Sequence, residues 1–328
     1  MEAHSKTAGK RIMKYQGRIG LALGSGASRG WSHIGVIKAL LQMGVEPEIV
    51  TGCSIGSLVG AAYCCGKLDT LEQWLTKLDR LEVAKFFEVN WSFNGFVDAD
   101  HMENFLTSYV CDSDTDIEDL EKTFAAVSTD LHSGREIWFT KGPVFKAVWA
   151  SIALPGLFPP LRHEGKWLVD GGLVNPVPVS VCRALGADFV IAVNLNGNIV
   201  GRHFTKKPAT NRQIEQSDED EANEKQRDAG LTDKFMQRIK EYSSSLFADS
   251  DEGDTAPGLF DAIAGSINIT QDRITRSRMA GDPPDLLLAP KLSHIELLEF
   301  HRASEAIREG EACVERMSSE IKYALHID

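Results

Sequence analysis

Between residues 18 and 63 the chain alternates short apolar runs with glycine-rich turns in an order that few folds accommodate. Arg18-Ile19-Gly20-Leu21-Ala22-Leu23 reads as a short strand, and it runs into Gly24-Ser25-Gly26-Ala27-Ser28-Arg29-Gly30. Ile34, Val36, Ile37, Leu40 and Leu41 then cover one broad helical face, with Gly44 as the stop. Glu48-Ile49-Val50-Thr51 reads as the end of a second, buried strand, and Ser57 to Tyr63 as a helix of small residues able to lie close on a sheet. Strand, loop, helix, strand is a parallel unit. Its right-handed crossover brings both glycine loops to the carboxyl edge of one sheet, where they can meet.

The second loop is Gly52-Cys53-Ser54-Ile55-Gly56, a Gly-x-Ser-x-Gly pentapeptide. Where a strand turns sharply into a helix, such a serine is held outward in a strained conformation, and its flanking glycines keep the crowded turn free of side chains. Ser54 is therefore a candidate nucleophile. Further along, residues 123–130 and 135–140 read as strands joined through Ser133-Gly134, and a helix begins near Lys146 and ends at Pro155. Residues 163–170 read as a hairpin turn and a strand, followed by a helix from Ser180 to Leu185 and a parallel strand over 188–194. A last strand at 285–290 and a last helix from Phe300 to Tyr323 complete the pattern.

The chain has 328 residues, 43% hydrophobic and 25% charged, which suits one large folded α/β domain. A net charge of -12 argues against nucleic acid as a partner and against wholesale attraction to anionic membranes. Between Glu215 and Asp254 there are 13 acidic and 5 basic residues, so most of that charge lies in an acidic insertion. The expected division is a basic flexible tail over 1–17, a catalytic core over 18–196, the insertion over 197–257, and the C-terminal part of the same domain over 258–328. The insertion is predicted to be partly disordered, with one amphipathic helix near Leu231 to Phe247; it could serve as a linker, a lid or a protein-binding segment. Six cysteines without C-x-x-C spacing imply reduced thiols and no disulfide framework or zinc site. Residues 1–17 lack the apolar run of a signal peptide, and no window approaches the roughly 18 apolar residues of a membrane span. The expectation is a cytoplasmic protein, at most peripheral at a membrane.

Three uses compete for the Gly24 to Gly30 loop. Dinucleotide binding needs G-x-G-x-x-G and an acidic ribose ligand after the next strand, but Arg29 occupies the third glycine's position and Ser54 the ligand's. A Walker loop needs G-K-[ST], which is absent. The third use is an oxyanion hole of backbone N–H groups, with Arg29 anchoring the loop or adding positive potential. Ser54 also needs a base. His203, His294, His301 and His326 are the histidines in the second half, and none sits in a convincing catalytic loop. Asp170-Gly171-Gly172, emerging from the apolar Trp167-Leu168-Val169, is the better partner.

Taken together, Gly24 to Gly30 with His33-Ile34-Gly35-Val36, Gly52 to Gly56, Ser151-Ile152-Ala153-Leu154-Pro155-Gly156 to Pro160, and Asp170-Gly171-Gly172 resemble the patatin-like phospholipase family, its stand-alone bacterial members and the catalytic domain of neuropathy target esterase in particular. The resemblance covers about three quarters of the chain, Arg18 to Asn196 plus the tail from Asp285. It implies a three-layer α/β/α fold and a Ser-Asp dyad without histidine, requiring no metal or organic cofactor. Carried onto matching positions, Ser54 is acylated, Asp170 is the base, and Gly26 and Ala27 supply oxyanion N–H groups beside Arg29. The family's usual triple glycine is here Ser25-Gly26-Ala27, so a positive φ at residue 27 would be costly. The implied activity is that of a lipid acyl hydrolase acting on a phospholipid, lysophospholipid or related ester, with transient membrane-surface contact and Leu154 to Leu161 lining the acyl site. The alternatives are a regulatory or adaptor protein that keeps the fold and binds through the acidic insertion, and a Rossmann-type nucleotide binder.

Overall fold

The computed structural model describes residues 15–83, 99–155, 157–197 and 259–327. The acidic insertion beyond Gly197, the basic tail up to residue 14 and Gly156 of the proline-rich segment lie outside them. Eight strands form one mixed sheet: β1 (Ile19–Leu23), β2 (Ile49–Cys53), β3 (Thr123–Asp130), β4 (Glu136–Phe139), β5 (Leu161–His163), β6 (Lys166–Asp170), β7 (Phe189–Val193) and β8 (Leu286–Leu288). The order is β5-β6-β3-β2-β1-β7-β8, with β4 paired to β3. β3, β2, β1, β7 and β8 run parallel. β4, β5 and β6 are antiparallel to their neighbours.

The described α-helices are α1 (Ser32–Gln42), α2 (Ile55–Cys64), α3 (Leu68–Leu75), α4 (Ala99–Tyr109), α5 (Val144–Ile152), α6 (Val179–Ala184), α7 (Leu259–Gly281), α8 (Ala303–Arg316) and α9 (Ser318–Leu325). Alternation along the central strands separates two cores, because successive side chains point to opposite faces. Leu21 and Leu23 of β1, with Phe189, Ile191 and Val193 of β7, meet residues of α1, α2 and α8 in the larger core. Ala22, Val190 and Ala192 point the other way, toward Val179 and Cys182 of α6, with Met279 of α7 packed at the margin. The result is the three-layer α/β/α arrangement with a mostly parallel sheet.

Two details depart from the sequence reading. The final helix is broken at Met317 into α8 and α9, preceded by a single 3₁₀ turn at Phe300–Arg302. The strand expected over 285–290 shrinks to Leu286–Leu288, bracketed by Pro284 and Pro290, neither of which can donate to a ladder. A third feature decides the site. Ala126 and Val127 of β3 pair with β2 on one side and β4 on the other, while Ser128 and Thr129 pair with β6 and β4. β2 and β6 therefore occupy the same edge of β3 in tandem, running toward each other. Cys53 faces Val127, and Asp170 faces the very next residue, Ser128.

Candidate active site

Register alone thus points the carboxyl ends of β2 and β6 at one another. Ser54, the residue after β2, has φ 55° and ψ -128°, a left-handed conformation that costs a non-glycine residue of the order of 1–3 kcal/mol. The surroundings hold it there. Its N–H donates to Ser151 Oγ at 2.9 Å, and Ser57 Oγ donates to its carbonyl at 2.7 Å. Gly52 and Gly56 are required by close approach: a Cβ on Gly52 would sit 2.3 Å from Ser57 Cα, and one on Gly56 2.2 Å from the Leu23 carbonyl oxygen. Ser151 lies on the buried face of α5, and its backbone-holding role has no sequence signature.

Ser54 Oγ donates to Asp170 Oδ2 at 2.5 Å. The other carboxylate oxygen, Oδ1, accepts from the Gly172 N–H at 2.7 Å. The Asp170 backbone is fixed as well, by its N–H on the Ala153 carbonyl (3.0 Å) and by Thr129 Oγ1 donating to its carbonyl (2.8 Å). Asp170 is 1% exposed. Burial penalises its charged form and raises its pKa to about 6, against the opposing pull of the Ser54 and Gly172 hydrogen bonds. A carboxylate so placed is a stronger base than one in water, yet still ionised at neutral pH.

The first glycine loop reaches the same place. A Cβ on Gly30 would overlap Ile55 Cγ2 at 1.9 Å, so the 3₁₀ turn Ala27–Trp31 lies directly on the start of α2. The Ser25 N–H donates to the Pro176 carbonyl (2.8 Å) and the Ser28 N–H to the Leu297 carbonyl (3.2 Å). The N–H groups of Gly26 and Ala27, between them, have no backbone acceptor among the described residues. Arg29 is 1% exposed and points inward; its Nε donates to the Gly26 carbonyl (3.3 Å) and its Nη2 to Asn268 Oδ1 (2.8 Å). Burial lowers its pKa to about 10, and Glu296 opposes the shift. Gly24 is held by His33, whose Nε2 lies 2.8 Å from its carbonyl. Burial depresses the His33 pKa to about 4, so the neutral ring donates from Nε2.

Ala27 has φ 46°, the conformation that alanine resists. Ala27→Gly should therefore leave stability unchanged or raise it by up to about 1 kcal/mol, whereas Ala→Gly in a helix ordinarily costs that much. Chemical denaturation tests this; a loss of half a kcal/mol or more contradicts it.

Beside Ala27 and Ile55 opens a pocket whose lining, among the described residues, consists of apolar side chains. Leu154, Leu157 and Phe158 of the proline-rich segment contribute, as do Trp74 and Leu78 at the α3 end and Met102 and Phe105 of α4. The helical wall was not legible in advance, because apolar residues at helical spacing read equally well as ordinary core. His294 and His301 are engaged elsewhere: His294 Nε2 lies 2.7 Å from Glu305 Oε1, and Arg80 Nε donates to His301 Nε2 at 3.3 Å. Among the described residues no cluster of His, Cys, Asp or Glu could hold a metal ion, and no helix is long and apolar enough to cross a membrane.

The patatin-like phospholipase model matches residues 21–183. An uncharacterized NTE family protein of Mycobacterium tuberculosis is 32% identical over 324 residues, covering 90% of this chain and 89% of that one. Lysophospholipases of the NTE type from Aspergillus fumigatus (32% identity) and Yarrowia lipolytica (35%) match 54% and 56% of this chain but only 12% and 13% of their own lengths. A solved structure, VipD of Legionella pneumophila, aligns distantly, with a TM-score of 0.43 and 12% identity over 94% of this chain and 67% of that one.

Proposed function

Since the chain belongs to the patatin-like phospholipase family, we propose that it is a serine lipid acyl hydrolase working through a Ser54-Asp170 dyad and an acyl-enzyme. The observation that carries this is the 2.5 Å hydrogen bond from a strained serine hydroxyl to a buried carboxylate beside an apolar pocket. As Ser54 Oγ attacks the ester carbonyl carbon, its proton passes to Asp170 Oδ2, and the carbonyl oxygen becomes an anion stabilised by the Gly26 and Ala27 N–H groups. Each such donor is worth roughly 2.7–4 kcal/mol in the transition state. Collapse breaks the ester C–O bond, and the leaving alcohol takes the proton from Asp170. Water then attacks the acyl-enzyme, giving its proton to Asp170; Ser54 recovers a proton as the fatty acid leaves.

The apolar pocket supports a long acyl chain as the group transferred, because among the described residues no polar side chain lines it to pair with a charged substrate. The lysophospholipase names of two relatives favour a lipid carrying one such chain. The test is labelling with an alkyl fluorophosphonate followed by peptide mapping, alongside hydrolysis of a lysophospholipid and a short-chain ester. The adduct is expected on the peptide containing Ser54, and the His294→Ala and His301→Ala variants should keep full activity. An adduct elsewhere, or loss of hydrolysis in either histidine variant with the fold intact, overturns the dyad.

A further inference from the structure

The buried stripe of α7 is polar. Asn268, Gln271, Asp272 and Thr275 follow the i, i+3, i+4, i+7 spacing that normally buries leucines, and each is 6% exposed or less. Ile269 faces outward at 48% exposure. Burying amides and hydroxyls is costly when they are unpaired, so a helix that docks this way needs specific partners. Two of the four find theirs on the candidate oxyanion loop. Asn268 Oδ1 accepts from Arg29 Nη2 at 2.8 Å, and Arg29 in turn donates through Nε to the Gly26 carbonyl. Gln271 Oε1 accepts from Ser25 Oγ and from Asn196 Nδ2, both at 3.0 Å. The Gln271 amide nitrogen also lies so close to Gly172 that a Cβ there would meet it at 2.4 Å.

We propose that Asn268 and Gln271 are positioning residues: α7 braces the backbone on which hydrolysis depends, Asn268 through Arg29 and Gln271 through Ser25 and Gly172. This rests on the assignment of Gly26 and Ala27 as oxyanion donors. Residue 27 sits in a strained conformation, and relaxing it rotates the adjoining peptide planes, so the loop needs a brace that does not itself touch substrate. Arg29 suits that task because its guanidinium is buried and donates to the Gly26 carbonyl and to Asn268 Oδ1. A cation buried this deeply is exacting about its acceptors.

The experiment compares wild type, Asn268→Leu, Asn268→Asp, Gln271→Leu, Arg29→Met and the Arg29→Met/Asn268→Leu double variant as purified full chains. Readouts are kcat and KM for a short-chain ester, the fluorophosphonate labelling rate, and thermal melting. Asn268→Leu is expected to lose kcat and labelling rate about 30-fold or more, with KM within twofold. Asn268→Asp keeps an acceptor for Arg29 and should stay within threefold of wild type. Gln271→Leu should lose about tenfold. The double variant should be no worse than Arg29→Met alone, because Asn268 acts through Arg29. Melting near wild type with full kcat in Asn268→Leu overturns the proposal, as does additivity of the two losses. Should Asn268→Leu fail to fold, Asn268→Asp and Gln271→Leu decide: the first inactive or the second fully active sinks it. Ser54→Ala separates the two ideas, since full activity there removes the dyad itself, while an inactive Ser54→Ala beside a fully active Asn268→Leu removes only the brace.

Discussion

Asp170→Asn should make this protein more stable and nearly inactive at once. The activity loss follows from removing the only base hydrogen-bonded to Ser54 Oγ among the described residues; general-base assistance is worth roughly 10²- to 10⁴-fold, and a fall in that range is expected in kcat/KM. The stability gain follows from the raised pKa. A carboxyl group titrating near 6 when folded and near 3.8 when unfolded destabilises the fold wherever it is ionised. The sign is fixed by which state holds the proton. Below pH 3.8 both states are protonated and there is no penalty; the penalty grows from pH 3.8 to about 6 and is constant above. At 1.36 kcal/mol per pH unit it amounts to about 3 kcal/mol. Asparagine has no charge to bury and keeps an oxygen for the Gly172 N–H. Urea denaturation at pH 7.5 and pH 4 measures it: Asp170→Asn should exceed wild type by up to about 3 kcal/mol at the higher pH, and by little at the lower. Wild-type kcat/KM should fall on an acid limb with an apparent pKa near 6. A variant less stable than wild type at pH 7.5, or an acid limb near pH 4, contradicts the environment assigned to Asp170.

The second large effect lies away from the chemistry. α1 and α8 cross at a pair of glycines: a Cβ on Gly35 would sit 2.0 Å from the Ile307 carbonyl oxygen, and one on Gly310 2.0 Å from that of Ser32. Both obstacles are backbone, so neither can turn aside. Gly310→Val is expected to cost about 3 kcal/mol, the upper end of ordinary overpacking. Gly265, on α7 with nothing within 4 Å of an added Cβ, is the control. Gly265→Ala should gain about 1 kcal/mol from helix propensity alone. Equal effects at the two positions would mean that the helices are not in contact where the glycines place them.

The order β1, loop, α1, β2, elbow, α2 was readable from Arg18 to Tyr63 because each step has a local cause: an apolar β-branched run, a glycine turn, a 3.6-residue period. The β3 and β4 strands and the end of β6 at Asp170 were readable for the same reason. What escaped was long-range. Asn268 and Gln271 lie about 240 residues from the loop they contact, and a polar stripe on α7 looks like a solvent face until something is packed against it. The break at Met317 escaped because no glycine or proline marks it. The acidic segment over 197–257 stays an expectation, beyond its first residue outside the described parts of the chain.

The tandem arrangement of β2 and β6 on one edge of β3 carries a consequence for how the chain matures. β2 and its serine belong to a local crossover that can close early, whereas Asp170 arrives only when a segment 116 residues further on adds to the same edge. On the dyad reading, a nascent or half-folded chain owns its nucleophile before its base. It can present an elbow to lipid and do nothing to it. Ester turnover is then a report that β6 has joined the sheet, and a cell holding a shorter chain on the ribosome holds a hydrolase that has not yet been switched on.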